Sequence, residues 1–244
     1  MLASRIDRAT EVIVSGSGVS PVILCCEHAS NALPEGLEWG ADAWLSEDHW
    51  AWDPGAALVT RDLVEAFGSR AVLSRVSRLV IDTNRPLYSQ TLFRDVADGR
   101  PVHLNTGLPD LARGQRVLDW WEPYHQALDA LCGAAPAQVL LSVHSFTPVY
   151  EGQVRDVELG VLFESADDLA AEVMRALAPS GLVIRANEPW SGKGGMMFSC
   201  YKHAREHGLE ALEIEMRQDL LADPVKRAHI SRHLERAMRE VLGF

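Results

Sequence analysis

Two histidines stand just past the ends of two strongly apolar runs. His28 follows PVILCC at 21–26 and Glu27, and His144 follows QVLLSV at 138–143. A hydrolytic zinc site takes three protein ligands from His and carboxylate and keeps one position for water. The metal lowers the pKa of that water towards ~7, and a nearby Glu takes and returns the proton. His28, Asp53 and His144 offer such a ligand set, and Glu215 offers the acid/base. Each residue also fits a plainer role. The histidines fit hydrogen-bonded loop edges. Asp53 fits the N-cap of a helix opened by Pro54. Glu213 and Glu215, alternating with Leu212, Ile214 and Met216, fit a solvated strand face.

The segment SRLVIDTNRP at 77–86 crowds Arg78, Asp82, Asn84 and Arg85 together. A salt bridge between Arg78 and Asp82 explains part of it. The functional alternative is an arginine clamp, because guanidinium meets a carboxylate with two prongs. In that reading Arg85 grips a substrate α-carboxylate, Asn84 adds a hydrogen bond and Asp82 orients the arginine. Ser145, beside His144, joins the substrate-binding candidates. Gly192-Lys193-Gly194-Gly195 lacks the spacing of a phosphate loop and reads as a flexible turn. Cys25 and Cys26 sit mid-strand in apolar surroundings, where a thiol is inert.

These residues need a scaffold that gathers them. Strands are expected at Pro21–Cys26, Ala71–Leu73, Gln138–Val143, Leu159–Phe163, Leu182–Arg185 and Leu209–Met216, with Leu79–Ile81 continuing extended structure into Asp82. Helices are expected from Asp53 to about Phe67, over Gln115–Leu131, Ala166–Leu177 and Met196–Glu206, and after Pro224. Residues 86–112 read as a long surface excursion of the kind that covers a site. Strands alternating with helices predict a three-layer α/β/α fold with a largely parallel or mixed sheet. Ligands then bind beyond the carboxyl ends of the strands, where His28, Asp82, His144 and Glu215 would meet. Glu213 and Glu215 share a strand face, since side chains two apart point the same way. If their strand runs parallel to the others, Glu215 is one pleat nearer that edge and is the better base. Glu213 would lie deeper, paired with an arginine.

The whole length, 1–244, fits a single domain with a sizeable core. A net charge of −11 argues against nucleic acid or an anionic membrane as the main partner. No apolar stretch of roughly 18 residues predicts a membrane span. Arg5, Asp7, Arg8 and Glu11 interrupt the first segment, so no secretory signal is expected and a cytoplasmic location follows. Cys25, Cys26, Cys132 and Cys200 lack a CxxC spacing and read as reduced and buried.

Taken in order, CEHASN, HWAWDPGA, SRLVIDTNRP, LLSVHSF and LEIEMRQDL resemble the N-formylglutamate amidohydrolase family, from about Val22 to Leu221. The 77–86 segment is the most specific of these motifs. The plan is more distantly similar to zinc-dependent N-acetylmuramoyl-L-alanine amidases. The resemblance implies a phosphorylase/hydrolase-like fold and one zinc ion per chain, held by His28, Asp53 and His144, with Glu215 as catalytic acid/base. The amidases carry Glu where this chain has Asp53, so Glu27 stays open as the acidic ligand. The implied substrate is a small acidic N-acyl amino acid, first of all N-formyl-L-glutamate, cleaved to formate and L-glutamate in histidine breakdown. Two alternatives remain: a cell-wall amidase with the same metal chemistry, and a non-catalytic ligand-binding protein on the same fold.

Overall fold

The computed structural model describes residues 2–134 and 136–244. A seven-stranded mixed sheet forms its centre. The strands are β1 (Thr10–Val14), β2 (Val22–Cys26), β3 (Arg70–Ser74), β4 (Val139–Phe146), β5 (Leu159–Leu162), β6 (Ile184–Ala186) and β7 (Glu210–Arg217). Their spatial order is β1-β3-β2-β4-β7-β5-β6. The middle strands β3, β2, β4 and β7 run parallel. Strand β1 is antiparallel to β3, β5 is antiparallel to β7, and β6 is parallel to β5. All of β2 and β4 is buried, which is why both read as continuous apolar runs.

The helices are α1 (Leu2–Ala9), α2 (Ala56–Phe67), α3 (Asp110–Arg116), α4 (Glu122–Ala134), α5 (Asp167–Leu177), α6 (Phe198–His207), α7 (Gln218–Ala222) and α8 (Pro224–Leu242). They make the outer layers of an α/β/α sandwich. Leu24 and Cys26 of β2 join a core with α2, α5 and α8. Ile23 and Cys25 point the other way, into a core with α4 and α6. The adjacent cysteines therefore diverge, and all four cysteines are free and buried. Each fully buried Leu or Ile in these layers contributes about 1.5–3 kcal/mol, so the sheet beneath the site is firmly held. No helix among the described residues is long and apolar enough to cross a membrane.

Helix α2 begins two residues later than expected, with Gly55 rather than Asp53 as its N-cap and no side-chain cap. Gly55 has a φ of 87°, and a Cβ there would lie 2.6 Å from Leu221 Cβ, so the turn requires glycine. Asp53 is thereby free of capping. Its N–H donates to His28 O at 3.0 Å, which ties it to the end of β2.

Leu79 and Val80 lie in a turn and Ile81 in irregular chain rather than in extended structure, with Val80 N–H donating to Ser77 O at 2.9 Å. Its side chains are buried in two accessory cores. Leu79 packs with Leu45, Ala51, Ala97 and Val102, while Val80 and Ile81 pack with Val76, Leu92 and Phe93. Residues 86–112 supply many of these partners, so that excursion is a packed layer. Arg116 pins it, donating to Val80 O, Asn105 Oδ1 and Leu104 O at 3.0, 2.7 and 3.0 Å. The helix expected from Gln115 starts at Asp110 and passes through a π-helical turn, Val117–Trp121, into α4.

Candidate active site

Three side chains converge above the carboxyl ends of β2 and β4. His144 Nδ1 lies 2.7 Å and His28 Nδ1 3.4 Å from the same oxygen, Asp53 Oδ2. One ligand atom from each residue falls within 4.8 Å of the others. Behind each ring stands a second carboxylate. His28 Nε2 is 2.8 Å from Asp82 Oδ1, and His144 Nε2 is 3.1 Å from Glu27 Oε2. A carboxylate only accepts, so each Nε2 carries a proton and each Nδ1 turns towards Asp53. Metal-binding histidines are oriented in this way, with the ring N–H that faces off the metal held by an acid. His28 Nδ1 is buried with no hydrogen-bond partner among the described residues, as a lone pair meant for a cation would be.

The charge balance points the same way. Glu27, Asp53, Asp82, Glu213 and Glu215 are each at most 5% exposed, and they face the buried rings of His28 and His144 and the half-buried guanidinium of Arg78. Burial alone would raise all these carboxyls. The facing histidines hold Asp53 well below the usual carboxylate range, and His144 holds Glu27 at about 2. Arg78 and His28 do the same for Asp82. Burial opposes a charged His144, but Glu213, Asp53 and Glu27 outweigh it and push its pKa well up. A divalent cation at Asp53 would offset the excess negative charge that otherwise needs a buried imidazolium. The residues therefore fit a metal.

Strand β7 runs parallel to β4 and carries the two remaining acids, with Glu215 opposite His144 and Glu213 opposite Ser142. Glu213 faces His144 rather than an arginine, with Oε2 3.6 Å from Nε2. Both glutamates keep an Oε2 without a hydrogen bond, and both line the pocket. Burial raises both pKa values. Glu215 rises well above the carboxylate range, with Glu213 and Asp53 adding to burial. On the far side of Glu215 its register partner is Gly160. A Cβ at Gly160 would fall 1.9 Å from Glu188 O, so the 188–190 segment can approach only over a glycine.

The pocket has about 210 Å³ of space, room for a small molecule. Of the arginines on its wall, Arg78 is committed, donating Nε and Nη2 to Asp82 Oδ2 at 3.1 and 2.7 Å. Arg85 donates to Asn84 O at 2.8 Å. Arg94 lies over the Trp50 ring at 4.9 Å, and Arg155 over Tyr150 and Trp190 at 4.7 Å each. Burial and the nearby Arg78 lower the pKa of Arg94. Crowded cations in a half-buried pocket select an anion.

The N-formylglutamate amidohydrolase family model matches residues 20–222. The chain belongs to that family. A gene product of Agrobacterium tumefaciens is 32% identical, with a TM-score of 0.88 over 98% of this chain and 97% of that one. The N-formylglutamate amidohydrolase of Ralstonia eutropha JMP134 shares the fold at 16% identity, with a TM-score of 0.72 over 97% and 98% of the two chains. A bacteriophage poly-gamma-glutamate hydrolase shares it more distantly, at 12% identity and a TM-score of 0.50 over 96% and 90%. No curated protein matches the chain by sequence.

Within this N-formylglutamate amidohydrolase family member, the candidates from sequence all reach one pocket or its immediate backing, but some hold other partners than expected. Asp82 bonds His28 and Arg78, so its direct partner is not Arg85. The Asn84 amide is spent on the 196–199 segment, accepting from Ser199 N–H at 3.0 Å and donating to Met196 O at 3.3 Å. Ser145 donates its hydroxyl to Pro54 O at 2.9 Å and its N–H to Asp53 Oδ2 at 3.3 Å, which steadies the Asp53 turn. Glu27 lies behind His144, on the far ring nitrogen from Asp53. Sequence reasoning missed Arg94, Arg155, Tyr150 and Trp190. Only Arg94 carried a signal, as a cation inside the excursion expected to cover a site.

Proposed function

We propose that this chain is a one-zinc amide hydrolase acting on a small acidic N-acyl amino acid, with N-formyl-L-glutamate the leading substrate. The observation that carries the reading is the convergence of two histidine Nδ1 atoms on Asp53 Oδ2, each ring backed by its own carboxylate. His28, Asp53 and His144 would hold the zinc, in preference to Glu27. When bound, zinc supplies a Lewis acid for the amide carbonyl and for water. Glu215 takes a proton from the attacking water as the new C–O bond forms. It gives that proton to the leaving nitrogen as the C–N bond breaks, and the acid's remaining proton passes to the amine, so that carboxylate and ammonium are released. The raised pKa of Glu215 suits a group that must both accept and return a proton near neutral pH. Arg85, Arg94 and Arg155 bind the substrate carboxylates, and the Trp50, Tyr150 and Trp190 rings keep two of these guanidiniums in place.

Zinc content and turnover together test the reading. The purified protein should hold about one zinc in the pocket and lose activity with chelator. A screen over N-formyl, N-acetyl and N-succinyl amino acids should favour acidic ones. A fully chelated protein that still hydrolyses them at the original rate contradicts the proposal.

A further inference from the structure

We infer a second divalent-cation site, separate from the pocket, where α4 meets α6: His203 Nδ1 with the carboxylates of Asp129 and Glu206. Its starting point is the proton inventory of two stacked histidines. His125 Nε2 lies 3.1 Å from Thr83 O, and His125 Nδ1 lies 2.9 Å from His203 Nε2. A carbonyl only accepts, so His125 Nε2 carries the proton and, in the neutral ring, Nδ1 is a lone pair. His203 Nε2 must then donate to it. That leaves His203 Nδ1 as a second lone pair.

This lone pair is buried, its side chain 1% exposed, and it has no hydrogen-bond partner among the described residues. What it faces is two acids: Asp129 Oδ1 at 3.8 Å and Glu206 Oε2 at 3.7 Å. Three acceptors thus surround a point at which His203 Nδ1 has no donor, while Asp129 Oδ1 is met by His207 Nε2 at 2.8 Å and Glu206 Oε2 by Lys202 Nζ at 2.7 Å. A proton on Nδ1 would have no acceptor within hydrogen-bond reach, since both acids stand beyond 3.5 Å.

The geometry suits a metal. The three ligand atoms lie within 4.8 Å of one another. Two ligands each about 2.1 Å from a tetrahedral ion are about 3.4 Å apart, so the exposed carboxylates need only a small inward shift. His203 and Glu206 stand one turn apart on the same face of α6. His207 flanks the group, its Nε2 2.8 Å from Asp129 Oδ1. Lys202 Nζ pairs with Glu206 Oε2 at 2.7 Å, an exposed pair that holds weakly and that a dication displaces. One imidazole with two carboxylates and open access to water selects zinc, cobalt or manganese over magnesium or calcium, which prefer all-oxygen shells. The outer ring N–H of His203 is already held, through His125, by the Thr83 carbonyl, as a metal-bound histidine requires.

Equilibrium dialysis against rising free Zn2+ tests this directly. Wild type should take up one ion more than the Asp129→Asn/Glu206→Gln double variant. Both substitutions replace exposed carboxylates by isosteric amides, so the fold and its melting temperature should be kept. His28→Ala, which breaks the ligand set proposed for the pocket, should retain the extra ion, so that failure of one site is distinguishable from failure of the other. Zinc addition should also shift the 15N resonances of the His203 ring in wild type and not in the double variant. Equal zinc uptake by wild type and double variant, or equal His203 shifts, overturns the inference.

Discussion

Glu215 lies directly across the parallel β4–β7 ladder from His144, while Glu213, one pleat back, faces Ser142 and the far nitrogen of His144. One pleat is roughly 7 Å, which separates a group beside the reacting atoms from one behind a ligand. Glu215→Gln keeps the size and removes the proton acceptor. It is expected to cut kcat by about a hundredfold or more with zinc content unchanged. Glu213→Gln is expected to alter the support of His144 and act mainly on stability. Steady-state kinetics and metal analysis of both variants check this. The opposite pattern moves the base to Glu213.

Asp82 and Glu27 each hold a ring nitrogen that faces away from Asp53. Removing either charge leaves the proposed ligands in place but unsteadied. Asp82→Asn and Glu27→Gln are expected to weaken zinc binding by about 10–100-fold. His28→Ala and His144→Ala should abolish zinc binding and activity while the fold survives. Competition with a chromophoric chelator gives the affinities. Should Glu27→Gln abolish binding while Asp53→Ala retains it, Glu27 is the acidic ligand.

The parts of this site readable in sequence are those carried on the sheet. His28 and His144 were visible because buried parallel strands are continuous apolar runs with abrupt polar ends. Period-two alternation puts Glu213 and Glu215 on one face, and the parallel direction of their strand, not the alternation, favours Glu215. The plainer reading of Asp53 fails, since Gly55 and not Asp53 caps α2. An Asp-Pro-Gly turn and an Asp-Pro helix start look alike until Leu221 closes on Gly55. Leu79-Val80-Ile81 was misread because an apolar triplet does not say whether a sheet or an accessory core buries it. Arg155, Tyr150 and Trp190 were silent. They meet through a hairpin and a loop distant in sequence, and no periodicity marks such a meeting.

The Arg155 guanidinium lies over three rings, Phe146, Tyr150 and Trp190, and among the described residues its Nη1 has only a long contact, 3.4 Å, to Thr147 O. Its fork is therefore free for a carboxylate. Arg155→Lys keeps the charge and loses both the fork and the stacking plane. KM for an acidic substrate should rise strongly in this variant, and in Arg85→Lys, with a smaller change in kcat. Substrates lacking the side-chain or the α-carboxylate should show which arginine serves which group. Equal turnover of acidic and neutral N-acyl amino acids by wild type argues against an arginine clamp of any kind.

His125 and His203 make an acid-sensitive pair. Unfolded, each titrates near 6.5. Folded, burial lowers them to about 3 and about 4. Between roughly pH 4 and 6.5 the unfolded chain therefore binds protons at both positions that the folded chain does not. Stability then rises with pH through this window. The pair's contribution is fully present above about pH 6.5 and is lost as pH falls through the folded values. Each group adds a slope of up to about 1.4 kcal/mol per pH unit. Denaturant unfolding at several values between pH 4.5 and 7, with chelator present so that no metal competes for His203 Nδ1, measures the slope. His203→Gln removes one titrating ring and should flatten it by about one proton's worth. An equal slope in wild type and variant means that His203 is already protonated in the fold, with Nδ1–H shared between Asp129 and Glu206.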